Sequence, residues 1–142
     1  MKIIVCVDDK LGMAFNHRRQ CMDSVLRQKL IDLCGVSTLW MNGYSSKQFK
    51  DEMVPNIQVD EKYLDKAGAN DYCFVEDQDI LPYADKIQEI ILCRWNRTYP
   101  ADTFLKIPGN AADWQISVLE EFSGKSHKKI TVEQWRRENH EK

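Results

Sequence analysis

The chain has 142 residues, 43% of them apolar and 30% charged, with a formal net charge of -2. That is the composition of an ordinary globular protein, long enough to bury one core without metal or disulfide support, so residues 1–142 are expected to form a single domain. The charge balance argues against nucleic acid as a general partner. The opening MKIIVCVDD holds only five apolar residues between charges, too few for a signal-peptide core or a membrane span, so no membrane contact and a cytoplasmic location are expected.

Residues 2–7 (KIIVCV) predict a buried strand, ended by the polar turn Asp8-Asp9-Lys10-Leu11-Gly12 and a loop running to Arg19. Met22, Val25, Leu26, Leu30 and Leu33 then recur at helical spacing, and Gly35 stands where a helix C′ glycine belongs, which predicts a helix over 19–34. Residues 38–41 (TLWM) predict a short strand closed by Asn42-Gly43, followed by a short helix to Met53 capped by Ser45 or Ser46. Beyond Pro55 come a brief strand at 57–59, a short helix over 60–67 capped by Asp60 and stopped by Gly68, and a strand at 72–75 (YCFV). Residues 77–84 are a connection with one helical turn.

The longest apolar run, residues 87–95, is broken only by Gln88, Glu89 and Arg94. Ile90, Ile91 and Leu92 are consecutive and apolar, which suits a central strand buried on both faces. Pro100 ends it, lacking a ladder N–H, and Ala101-Asp102-Thr103-Phe104 begins the next ordered piece. Residues 114–122 (WQISVLEEF) and 127–135 (HKKITVEQW) predict an antiparallel pair joined across 123–125, and the charged tail from Arg136 is expected to fray. The sum is a three-layer α/β fold: a mostly parallel central sheet, flanking helices and a C-terminal antiparallel strand pair. Ligands of such sheets bind at the carboxyl ends of the strands, here Asp8-Asp9, Met41-Asn42-Gly43 and Glu76-Asp77.

The five cysteines (Cys6, Cys21, Cys34, Cys73, Cys93) form no C-x-x-C pair and read as reduced thiols, several of them buried. The three histidines (His17, His127, His140) are scattered, so no zinc site is expected. His17 beside two arginines is a poor general base. Asn16, Arg18, Arg19 and Gln20 make a dense polar run suited to a phosphate or carboxylate, or equally to a solvated loop. Trp95, Trp114 and Trp135 read as core aromatics, and Trp40 as a candidate pocket wall. Asp8, Asp9, Glu76 and Asp77 are candidate Mg²⁺ ligands, with strand-end turn chemistry as the commoner use of such residues.

Several short motifs resemble the dihydrofolate reductase-like fold family. Ala84-Asp85-Lys86-Ile87 before an apolar strand, Ala101-Asp102-Thr103-Phe104 after it, Trp114, Glu121-Phe122 and the closing strand are similar to the C-terminal half of that family. Ile3 to Asp8 with Gly12-Met13 resembles its first strand and loop, and TLWMNG resembles its strand into a cofactor-phosphate loop. The resemblance implies Asp23 as a substrate-binding acid holding a protonated heterocycle; an acid in a helix's first turn, favoured by the dipole, is the plainer reading. It also implies NADPH, but the residues depart from that. Glu76-Asp77 replaces the family's glycine pair, Asn42-Gly43-Tyr44-Ser45-Ser46 replaces its basic-Thr pair, and Asn16 to Gln20 replaces its Pro-Trp. Two carboxylates repel a pyrophosphate where two glycines admit it.

The opening MKIIVCVDDKLGMAFNHRRQ is also similar to small bacterial proteins labelled ribonuclease Z. Enzymes of that name hold zinc in a His-x-His-x-Asp-His cluster, which this chain lacks. Three function classes follow. The first is a dihydrofolate-reductase-like domain without reduction that binds a small ligand or a protein partner, with Asn16, Arg18, Arg19, Gln20, Trp40 and Asn42 as candidate contacts. The second is a divergent NADPH-dependent reductase of a pterin-like heterocycle using Asp23. The third is a metal-dependent hydrolase or nuclease.

Overall fold

The computed structural model describes residues 1–50 and 54–137. The described residues form ten strands: β1 (Lys2–Val7), β2 (Gly12–Phe15), β3 (Arg18–Arg19), β4 (Leu39–Met41), β5 (Ile57–Val59), β6 (Tyr72–Val75), β7 (Glu89–Arg94), β8 (Thr103–Phe104), β9 (Trp114–Phe122) and β10 (Ile130–Arg137). Seven of them form one sheet in the order β5-β4-β6-β1-β7-β10-β9. β10 runs antiparallel to both its neighbours, and the remaining pairs are parallel. The mixed, mostly parallel sheet with a closing antiparallel hairpin agrees with the sequence pattern. The geometric middle is β1, and β7 lies between it and β10.

Helices are few. α1 (Ser24–Cys34) buries Leu26, Leu30 and Cys34, spaced four residues apart, as one stripe against the sheet. Gly35 closes it at φ 57, a conformation that favours glycine. α2 (Gly43–Ser46), with a 3₁₀ turn over Lys47–Phe49, joins α1 on that face. There Ile4, Phe49, Phe74, Ile91 and Trp95 complete one core. The opposite face is covered by the four-residue α3 (Tyr63–Lys66), Ile80, Ile87, Leu105 and side chains of β2, rather than by a second layer of long helices. Among the described residues, no helix is long and apolar enough to cross a membrane.

Local differences from the sequence pattern have local causes. The first helix begins at Ser24, not residue 19, because Asp23 caps it and Arg18–Arg19 pair with β2. Asn16 and His17 turn that β2–β3 hairpin with φ of 53 and 64, as a two-residue hairpin turn of the primed type requires. With β8 the hairpin makes a separate three-stranded sheet, absent from the sequence reading. Asn42, not Ser45 or Ser46, caps α2 through the Ser45 N–H, and the end of that expected helix at Met53 lies outside the described residues. Asp60 accepts from the Lys62 N–H one turn ahead of α3, so the helix is shorter than 60–67. Arg136 and Arg137 extend β10 rather than fray, and the tail beyond them lies outside the described residues.

Candidate functional site

A narrow pocket opens at the carboxyl ends of β1, β6 and β7, between the sheet and α1. Leu26, Leu30, Phe49, Phe74 and Trp95 form its apolar wall. Arg19, Gln20, Cys21, Gln48 and Glu76 form its polar rim. Its free volume is about 20 Å³, room for one water-sized group. A shallower groove of about 350 Å³, lined by Phe15, Asn16, Arg18, Tyr99 and Pro100, shares Arg19 and Gln20 with it. Gln20 donates to Asp8 Oδ2 at 3.0 Å, while its own Oε1 is buried with no hydrogen-bond partner among the described residues.

One cluster at the rim centres on Glu76. Arg19 donates to it through Nε (2.7 Å) and Nη2 (3.1 Å), Ser45 through its hydroxyl (2.7 Å) and Gln48 through its amide (3.0 Å). The Arg19 guanidinium also lies over the Tyr44 ring, 4.2 Å from its centroid. This bidentate pair ties the hairpin to the end of β6 and to α2.

A second cluster joins residues distant in sequence. Asp23 Oδ1 accepts from the Val25 and Leu26 N–H groups as the α1 cap, and from the Lys125 N–H at 3.0 Å. Its Oδ2 accepts from the Ser126 N–H at 3.0 Å and from His127 Nδ1 at 2.8 Å. His127 Nε2 in turn lies 2.9 Å from Cys21 Sγ. Burial alone would raise the Asp23 pKa, but the His127 hydrogen bond and the backbone N–H groups of Lys125, Ser126 and Leu26 outweigh it and hold the carboxyl well below the carboxylate range. An ionised carboxylate only accepts, so Nδ1 carries a hydrogen, and in the neutral ring this leaves the Nε2 lone pair facing Cys21 Sγ.

Trp95 stacks on the His127 ring at 4.5 Å and 24° and fixes its plane. Burial and the neighbouring Cys21 thiol raise the Tyr99 pKa. The His127 and Asp23 side chains are 2% and 0% exposed, whereas Cys21 is half-buried on the pocket rim.

The geometry needs Gly124. A Cβ there would stand 2.5 Å from Asp23 Oδ2 and 2.8 Å from Ile130 Cδ1, so only glycine lets this loop close on the cap. For the same reason β10 begins at Ile130 rather than at the expected residue 127: the preceding N–H groups and the His127 ring are spent on Asp23.

Of the candidates from sequence, Arg19, Gln20 and Asp23 meet at the pocket, while Asn16 and Arg18 line only the shallow groove. Trp40 packs on the other face and donates to Asp71 Oδ2, and Asn42 is spent as the α2 cap. Asp8 accepts from the N–H groups of Lys10, Gly12 and Tyr99, the turn role foreseen as the commoner one. Among the described residues, no group of three His, Cys, Asp or Glu side chains is arranged to hold a metal ion. In the Asp23 cluster, the carboxylate and the thiol lie on opposite ring nitrogens and do not converge on a point.

Sequence reasoning missed Cys21, His127 and Trp95 as site residues. Cys21 and Asp23 are two residues apart, but His127 is 106 residues from Cys21, and no spacing rule links them. No protein-family model matches the chain, and no curated protein matches it.

Proposed function

We propose that the protein is a small-ligand-binding module of dihydrofolate-reductase-like architecture that does not carry out NADPH-dependent reduction. The observation that carries this reading is the pocket at the carboxyl ends of β1, β6 and β7, where parallel sheets bind their ligands. Its apolar wall and few convergent polar groups are the usual makeup of a small-molecule site. Glu76, bonded to Arg19, Ser45 and Gln48, fills with side chains the place where a dinucleotide needs bare backbone. Both Asp23 oxygens are engaged within the protein, which favours a binding module over a reductase that presents this acid to a heterocycle.

The test is an amide-resolved NMR titration with small acyl compounds, NADPH and a folate analogue. Shifts confined to residues 19–22, 26, 48–49, 76 and 95 on adding short acyl compounds are expected, and Leu26→Trp, which fills the pocket, abolishes them. Saturable micromolar NADPH binding with shifts across 42–47 and 76–77 would instead establish the reductase reading.

A further inference from the structure

We infer that Cys21 is a nucleophile activated by His127 and positioned by Asp23, and that it acylates itself from short-chain esters or thioesters bound in the pocket, then hydrolyses the adduct. The inference rests on the pocket reading and adds covalent chemistry to it. Three features carry it. The Cys21–His127 and His127–Asp23 distances of 2.9 and 2.8 Å are those of a nucleophile, its base and the group that orients the base. The tautomer imposed by Asp23 leaves Nε2 free to accept the thiol proton. The sulfur also sits on the pocket rim, whereas Cys34, Cys73 and Cys93 are buried within the core.

Each step balances. As Sγ forms its bond to the acyl carbon, the thiol proton passes to His127 Nε2. The leaving oxygen or sulfur departs with that proton as its bond to carbon breaks. Water then attacks the thioester and gives its proton to Nε2, and Cys21 leaves as the thiol, releasing the acid. The pocket's free space of roughly 20 Å³ holds one water-sized group, so only the smallest acyl groups enter, and only as the half-buried rim side chains give way. Two grooves open next to this cluster. Arg18 lines one, Arg97, Lys128 and Lys129 line the other, and neither lining contains a carboxylate. The leaving half of the substrate is therefore anionic.

A plain alternative exists for the same contacts: a latch that ties the loop over residues 123–129 to the α1 cap, with the thiol as a bystander. Two measurements on the unaltered protein separate the two. Peptide-mapped alkylation by iodoacetamide is expected at Cys21 about tenfold faster than at Cys6, whose thiol is raised by its Cys93 hydrogen bond and by burial. Intact mass after p-nitrophenyl acetate should show one acetyl group, mapped to Cys21 and absent in Cys21→Ala. His127→Ala should slow acetylation about 100-fold, with partial rescue by added imidazole, which a latch would not show.

Acetyl transfer to another residue, or equal reaction of Cys21 and Cys6 in the unaltered protein, overturns the proposal. Fast alkylation at Cys21 with octanoate preferred over acetate keeps the activated thiol but refutes the pocket reading and its substrate class. Acetyl-coenzyme A reacting no faster than a neutral acetyl thioester refutes the anionic half.

Discussion

Glu76 and Asp23 are both buried carboxylates on the wall of one pocket, yet their surroundings use them in opposite ways. Glu76 faces a guanidinium, a hydroxyl and an amide, all of which donate to it and end there. Asp23 faces four backbone N–H groups and an imidazole whose far nitrogen reaches a thiol at the surface of the pocket. The first arrangement closes a structure, whereas the second leads outward to a reactive atom. Burial of an acid is thus no guide to its role; what lies beyond its partner decides.

The largest separation of the two should come from truncation. Asp23→Ala leaves several buried N–H groups and the imidazole without an acceptor, and urea unfolding is expected to report a loss of about 3–5 kcal/mol, together with loss of fast Cys21 alkylation. Glu76→Ala strands Arg19, which keeps 18% side-chain exposure, so about 2–3 kcal/mol is expected. Its Cys21 alkylation rate should stay within about twofold of the parent, because no Glu76 partner touches the relay. Equal slowing by both changes would mean that the two clusters act as one unit.

The sheet was legible because its signals are local. Residues 2–7, 57–59, 72–75 and 114–122 read as strands from their own side chains, and those are the bounds observed. The hairpin at Asn16-His17 was not legible, since neither residue announces a positive φ as glycine would, and Arg18 and Arg19 read as loop. The start of α1 was overextended for the same reason: Met22 fits the helical spacing, but Asp23 is extended at φ -150 and caps the helix instead. At the site, Asp23 stood out and Cys21 did not. A thiol gains its meaning from His127, and only the return of the chain through β9 and β10 brings that ring to the helix cap.

Gly124→Ala perturbs the Asp23 cluster more gently than truncation does. The added Cβ meets the Asp23 carboxylate and leaves the Arg19–Glu76 pair untouched. A loss of about 1–2 kcal/mol is expected in thermal or urea unfolding, with slower Cys21 alkylation. Unchanged alkylation at reduced stability would show that the loop tolerates a shift without moving His127.

The smallest effect is the dependence on pH, and it tests whether the charge on Asp23 is used at all. Its folded pKa is depressed because the His127 and backbone hydrogen bonds outweigh burial. A depressed folded value contributes stability that is fully present above the unfolded carboxylate range, near pH 4, and is lost as pH falls toward the folded value. Asp8, also held low because backbone N–H groups and Gln20 outweigh its burial, adds a loss of the same sign. Parent stability should therefore decline below about pH 4, and the deficit of Asp23→Asn, measured by urea unfolding, should narrow by about 1 kcal/mol between pH 6 and pH 3. A deficit constant across that range would mean that Asp23 serves only as a neutral cap. In that case nothing would fix the tautomer of His127, and the thiol would lose its base.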